Sequence, residues 1–235
     1  MSNTPYHQIY DTIYSKRECE NDVFNLVKSD IDIHNVLNLP TLDFGCGTGL
    51  YTKALSKCFN EVSGFDIDKD AKRQFKKNNE NLVFHSNYSD FNLEFGSIFS
   101  FFNVFNYISN EEQLREVLSE LSNLLEDSIG LFYLDILNAD EFDDGTKLSK
   151  REVSIDGKRF QYIQFMECKN NELIFKESVE DNKNVIFQKS NSLKLWKAED
   201  LAKLFKEYEL NLIKKTKSNF INKNQIRLKF QKGNQ

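Results

Sequence analysis

Two prolines and nine glycines in 235 residues leave little material for long linkers, so the chain is expected to fold without a break. At this length one α/β domain with an insertion fits better than two full domains. Histidine is scarce (His7, His34 and His85), and the four cysteines (Cys19, Cys46, Cys58, Cys168) form no C-x-x-C pair and have no histidine at ligand spacing. That excludes a disulfide frame and a zinc site, and no metal centre is expected; the thiols read as reduced and cytoplasmic. Positive charge is not in excess, and a net charge of −5 gives no global field for nucleic acid. A local run of lysines from Lys203 to Lys232 reads as the solvated face of the last elements. No apolar run is long enough to span a membrane, and Met1-Ser2-Asn3-Thr4 begins no signal peptide. A soluble cytoplasmic protein is therefore expected. Aromatic mass is plentiful, with 21 phenylalanines and 9 tyrosines, enough for a core with some left to line a pocket.

The patterning follows α/β order. Tyr6, Tyr10, Ile13 and Tyr14 lie at helical spacing, and Val23, Phe24, Val27, Ile31 and Ile33 mark a second amphipathic stretch. Residues 1–38 are thus expected as helices. Strands are expected at 41–44, 61–66, 82–85, 97–102 and 129–135, the fourth being nearly continuously apolar, as suits a parallel strand covered on both faces. Helices are expected after the glycines near 49, over 68–75 with Asp68 as N-cap, and over 111–125. Turn signals at Asp156-Gly157, Asn170-Asn171 and Asp181-Asn182 then separate alternating runs. Residues 152–195 read as an inserted antiparallel meander, followed by a helix at 197–208 and closing strands near 211–213 and 225–230. The expected architecture is α/β: a doubly wound, mostly parallel, seven-stranded Rossmann-like sheet carrying the meander, in one domain over 1–235.

Chemistry concentrates where the first strand ends. Asp43, Gly45, Gly47 and Gly49 form a D-x-G-x-G-x-G run. A dinucleotide fingerprint needs its third glycine five positions after the first, so the spacing argues against a nicotinamide dehydrogenase. An acid ahead of the loop suits a ligand that presents an ammonium group better than one that presents a pyrophosphate. Asp66 ends the second strand about twenty residues further on, where it can accept both hydroxyls of a ribose.

With both acids in place, residues 41–135 resemble the class I S-adenosylmethionine-dependent methyltransferases, and the two ends of the chain do so more loosely. The resemblance implies S-adenosylmethionine as methyl donor, held by Asp43, Gly45, Cys46 and Gly47 at the methionyl and ribose portions, with Asp66 and Ile67 beyond them. It implies Asn87 and Tyr88 at the adenine, with Asp90 as an alternative, and Phe102 with Asn103 lining the donor pocket. No Asn/Asp-Pro-Pro-Tyr element follows the fourth strand, where Asn103-Val104-Phe105-Asn106 stands; that disfavours methylation of DNA bases or of glutamine side chains. The low pI and the lack of a basic extension disfavour large RNA, and a small-molecule acceptor is expected.

Tyr10-Asp11-Thr12-Ile13-Tyr14 is similar to the Y-D-x-x-Y opening of small-molecule N-methyltransferases, nearest those that act on nucleotide-linked amino sugars. By that resemblance residues 1–38 form a lid, Tyr10 and Tyr14 face the sulfonium and the acceptor as catalytic residues, and the 152–195 insert covers the substrate and contributes to a homodimer. One departure stands out. Where those enzymes often carry a histidine before the last helix, this chain has Asn191-Ser192-Leu193-Lys194-Leu195-Trp196. His7 on the lid is then the one histidine to consider as a base. An amine acceptor need only lose a proton before it attacks, whereas a hydroxyl more often requires a positioned base. O-methylation of a sugar or natural-product hydroxyl and a non-catalytic S-adenosylmethionine-binding subunit are the alternatives.

Overall fold

The computed structural model describes residues 6–14, 16–155, 157–181, 184–217 and 224–233. Helices α1 (Tyr6–Ile13) and α2 (Lys16–Ser29) come first, followed by β1 (Thr41–Phe44), α3 (Leu50–Leu55), β2 (Val62–Phe65), α4 (Lys69–Asn78) and β3 (Val83–His85). The rhythm continues with β4 (Ser97–Ser100), α5 (Glu111–Leu124) and β5 (Leu131–Leu137). A run of strands follows: β6 (Gly145–Ile155), β7 (Lys158–Lys169), β8 (Glu172–Glu180) and β9 (Val185–Lys194). Helix α6 (Ala198–Lys206) and strands β10 (Leu210–Lys217) and β11 (Gln225–Lys232) close the chain.

Seven strands form the main sheet in the order β10-β11-β5-β4-β1-β2-β3. All neighbours from β5 to β3 are parallel, and β11 runs antiparallel to both β5 and β10. This is the doubly wound, mostly parallel sheet expected from the alternation. The strand order reverses between β1 and β4, so the carboxyl ends of those two strands open a crevice, the usual place for a ligand in such sheets. One face of the sheet packs on α5 and α6, where Leu114, Leu118, Leu121 and Phe205 meet Phe132 and Phe230. The other packs on α2 and α3, with Val23 and Leu55 against Phe99 and Tyr133. Asp68 caps α4 through the Asp70 amide and Asn110 caps α5 through the Gln113 amide, in line with the side-chain acceptors that helix N-termini need.

The C-terminal lysines correct one expectation. Lys203, Lys206, Lys214, Lys215 and Lys217 are exposed, but Arg227, Lys229 and Lys232 are buried. Strand β11 lies inside the sheet, and its odd-numbered side chains face the α2 side, which is lined with acids. Arg227 pairs with Asp135 at 2.6 Å and Asp22 at 2.8 Å, and Lys229 with Asp30 at 2.7 Å and Asp32 at 2.6 Å. Lys232 donates to the carbonyls of Ser122 and Leu125 at the end of α5. Buried cations are tolerated only when paired in this way.

The second sheet has the order β6-β7-β8-β9 and is antiparallel throughout. It starts at Gly145, earlier than the expected 152, because β6 is an edge strand whose polar, mostly exposed residues show no apolar alternation. Two apolar clusters fasten the sheet's inner face to the rest of the molecule. Tyr162 and Val179 pack on Ile9 and Ile13 of α1, and Cys168, Leu173 and Leu193 pack on Leu137 at the end of β5 and on Ala139 just past it. Asn106 adds a polar staple, bonding the backbone of Leu137 and the Lys194 carbonyl. Among the described residues no helix is long and apolar enough to cross a membrane.

Candidate active site

The glycine run leaves β1 at the crevice. Gly45, Gly47 and Gly49 all have positive φ, at +75°, +51° and +80°, the left-handed region that suits a residue without Cβ. The amides of Gly45 and Cys46 donate to the Phe65 carbonyl at 2.8 and 3.0 Å, which fastens the loop to β2. A Cβ on Gly45 would stand 2.4 Å from the Val104 side chain, whereas one on Gly47 would meet nothing within 4 Å. Gly45 therefore serves packing, and Gly47 leaves open space above the loop.

Two acids flank that space. Asp66 accepts from the Gly47 amide and the Asp68 amide, each at 2.8 Å, so one carboxylate ties the loop to the end of β2. Asp43 is buried, and the Thr52 hydroxyl donates to it at 2.6 Å. Burial pushes the Asp43 carboxyl up to about 7, with nearby Asp66 adding to the rise and Thr52 opposing it. Cys46 is also buried, and burial first, then Asp43 and Asp66, holds its thiol far above the usual value. It is no nucleophile at neutral pH.

At the end of β4 the chain turns through two non-glycine residues in the left-handed region, Phe102 at φ +57° and Asn103 at φ +61°. Such strain in a bulky residue is kept where the surroundings over-determine it, often at functional sites. The turn sets the Phe102 ring against Tyr14 at 5.2 Å and Tyr10 at 6.1 Å, and the two tyrosines meet each other at 4.5 Å. Tyr10, Asp43, Gly45, Cys46, Gly47 and Phe102 thus line one small cavity.

The residues expected at the adenine lie just past the ends of β2 and β3. Ile67 is 79% exposed beside Asp66, an apolar surface open to a flat ligand. Asn87 is exposed. The Tyr88 ring stacks on Phe65 at 4.8 Å, so its side chain serves the core. Asp90 is occupied by the amides of Ser86 and Asn87 at 3.4 and 3.2 Å, closing the turn. The side chain of His7 lies outside the described ones. His34 is exposed, and His85 packs on Phe91 with its pKa lowered by burial.

Sequence reasoning missed what holds α1 beside the glycine loop. Asp11, inside the Y-D-x-x-Y run, accepts from the Thr48 hydroxyl at 2.5 Å, Gln74 at 2.8 Å and Asn78 at 2.7 Å. It latches α1 onto the glycine loop and α4. The inner face of the insert also carries Gln164, Glu177 and Lys189 in cross-strand register. The signal for that row was legible as a carboxylate, Glu177, at an inward position between Phe175 and Val179. A larger cleft of about 620 Å³ lies between α2 and strands β10 and β11. It shares no residue with the glycine loop, and its most buried charges, Asp30, Arg227 and Lys229, already pair.

Residues 41–128 match the family model described as a methyltransferase domain, and the fold is that of the class I S-adenosylmethionine-dependent methyltransferases. DesVI of Streptomyces venezuelae is similar at 20% identity and a TM-score of 0.79, over 96% of this chain and 98% of that one. The amino pentose methyltransferase CalS10 of Micromonospora echinaspora, solved with S-adenosylmethionine bound and involved in calicheamicin biosynthesis, is similar at 16% identity and a TM-score of 0.77, over 97% and 99%. The sugar N-methyltransferase KedS8 of a Streptoalloteichus species is similar at 15% identity and a TM-score of 0.78, over 98% and 93%. No curated protein matches the sequence. The residues present fit this donor. Open space above Gly47, a buried acid for an ammonium group and an acid tied to the loop for ribose hydroxyls are the donor set it needs.

Proposed function

We propose that the chain is an S-adenosylmethionine-dependent methyltransferase that methylates the nitrogen of a small polar amine, an amino sugar carried on a nucleotide being the acceptor class. The observation that carries the reading is the glycine cradle, which is filled at Gly45, open at Gly47 and flanked by Asp43 and Asp66. The amino pentose and sugar N-methyltransferase neighbours support the acceptor class.

When bound, the donor supplies an electrophilic methyl group on a sulfonium. Asp43 balances its ammonium, Asp66 takes its ribose hydroxyls, and Ile67 covers the base, with the backbone at Asn87 and Tyr88 beside it. Phe102, Tyr10 and Tyr14 give an aromatic wall that favours a cation and excludes water. The Tyr14 hydroxyl is held far above its ordinary pKa, first by burial and then by the charge of Glu177. It stays protonated at neutral pH and acts as a donor and a wall, not as a base. Alignment of nitrogen, methyl and sulfur is then the main catalytic device. The exposed edge strand β6 of the insert suits pairing with a second copy in a homodimer.

The test offers the purified protein S-adenosylmethionine with a matched pair, UDP-glucosamine and UDP-glucose, and reads added mass. Methylation of the amine alone is expected. Methylation of the hydroxyl compound alone assigns O-transfer, and donor binding without transfer to either compound assigns a non-catalytic subunit.

A further inference from the structure

The insert touches the main domain through apolar patches at its two ends, and the face between them is polar. Strand alternation explains the arrangement. On β8 the inward positions are Leu173, Phe175, Glu177 and Val179, and in the middle the apolar alternation gives way to a carboxylate. Register places Gln164 of β7 on one side of Glu177 and Lys189 of β9 on the other. Glu177 is only 4% exposed. Among the described residues it accepts one hydrogen bond, from the Tyr162 hydroxyl at 2.9 Å, and Gln164 donates in turn to that hydroxyl at 2.9 Å.

This row lies over the donor pocket. Tyr14, whose ring rests on Phe102, interacts with both Tyr162 and Glu177, and Tyr107 in the turn after β4 also feels Glu177. Lys189 is shared, because it feels Asp66 and Asp68 at the end of β2 as well as Glu177. Arg151 of β6 lies over the Tyr162 ring at 5.1 Å and donates to the Ile13 carbonyl of α1. Two further buried atoms line the same side without a hydrogen-bond partner among the described residues: Oδ1 of Asn103 and Nδ2 of Asn191. A water-excluded carboxylate held by one hydroxyl, beside a lysine that three acids share, is under-compensated. It suits a cationic guest.

We propose that Glu177 is the group that receives the acceptor's nitrogen, binding it as an ammonium and taking the proton that it must lose. The proposal rests on the amine reading above. One N–H proton passes to a Glu177 carboxylate oxygen and leaves the lone pair on nitrogen. That pair forms the N–C bond to the methyl as the C–S bond breaks, and the electron pair of the broken bond stays on sulfur. Burial raises the Glu177 carboxyl above the ordinary value, opposed by Tyr162 and Lys189, which brings the base nearer to the operating pH. Tyr162 and Lys189 are positioning residues. Glu177 fills the role for which no histidine stands before α6.

The test compares wild type with Glu177→Gln, which keeps an acceptor for Tyr162 and removes the charge, and with Tyr162→Phe, which keeps the carboxylate. Each protein is loaded with S-adenosylhomocysteine and titrated with UDP-glucosamine and UDP-glucose. The expected result is an amine preference in wild type and a loss of about 30-fold or more in amine affinity in Glu177→Gln. UDP-glucose affinity stays unchanged, and Tyr162→Phe retains the preference. With the donor present, the amine rate of Glu177→Gln falls by about 10²-fold or more and the acid limb of its kcat/KM profile disappears. An amine preference that survives in Glu177→Gln overturns the proposal and leaves the amine reading standing. A wild type that prefers UDP-glucose, or binds neither probe while it holds S-adenosylhomocysteine, overturns both. Equal losses in the two variants, for both probes, make Glu177 a packing residue and also overturn it.

Discussion

Replacing Asp43 by asparagine probes the charge balance of the donor pocket most sharply. The Asp43 carboxyl sits at about 7 in place of 3.8, a rise of about three pH units, or ~4 kcal/mol between its two protonation states. The sign follows from the direction. A carboxyl raised on folding contributes stability in full below the unfolded value near 4, and that contribution is lost as pH rises through about 7. The ligand-free wild type should therefore lose thermal stability from pH 5 to pH 8, and Asp43→Asn should lose less. Binding reverses the preference, since an ammonium beside Asp43 requires the ionised form. Donor affinity should rise about tenfold per pH unit from pH 5 to pH 7 and level off above, with about one proton released per ligand. Calorimetry in buffers of different ionisation enthalpy counts that proton. Measurement stays below pH 8, where the donor's own α-amino group begins to titrate. In Asp43→Asn the slope and the proton disappear, and affinity at pH 7.5 falls about 30-fold or more. A wild-type affinity that is flat from pH 5 to pH 7, or the same slope in the variant, refutes the reasoning.

Gly45→Ala and Gly47→Ala should separate, because only the first meets the Val104 side chain. Gly45→Ala lowers the melting temperature markedly, while Gly47→Ala costs about 1–2 kcal/mol for its left-handed backbone and chiefly blocks donor binding by calorimetry. Asp11→Ala removes the acceptor of three hydrogen bonds, so amides of α1 should exchange with deuterium at least tenfold faster while the β5 amides stay protected. Arg227→Met leaves Asp135 and Asp22 without their buried cation and should cost about 3–5 kcal/mol in denaturant unfolding. Adding Asp135→Leu should recover most of it.

The sheet was legible because its strands are strong local signals. Residues 41–44 and 97–102 set Leu42, Phe44, Ile98, Phe99, Phe101 and Phe102 between turn residues, and α5 carries a clear stripe capped by Asn110. The glycine loop was legible because spacing alone separates G-x-G-x-G from the dinucleotide fingerprint. Buried charge was not, since Arg227 and Lys229 find their acids far away in sequence, on α2, β5 and the turn after α2. Strand β6 is hidden before about 152 for a related reason, as an exposed edge strand has no apolar face to announce it. Asp11 stood in view within its motif, yet its partners Thr48, Gln74 and Asn78 come together only in the fold. Glu177 broke an apolar alternation, a signal that reads as noise until its neighbours across the sheet are known.

Titration of S-adenosylmethionine into the wild type and into Asp66→Ala is the most direct measurement of the central claim. Asp66 both ties Gly47 and faces the open side of the loop, so one-site binding is predicted for the wild type and a loss of about 30-fold or more for the variant. No heat of binding in the wild type, or equal affinity in the two proteins, would contradict a methyl donor held at this loop.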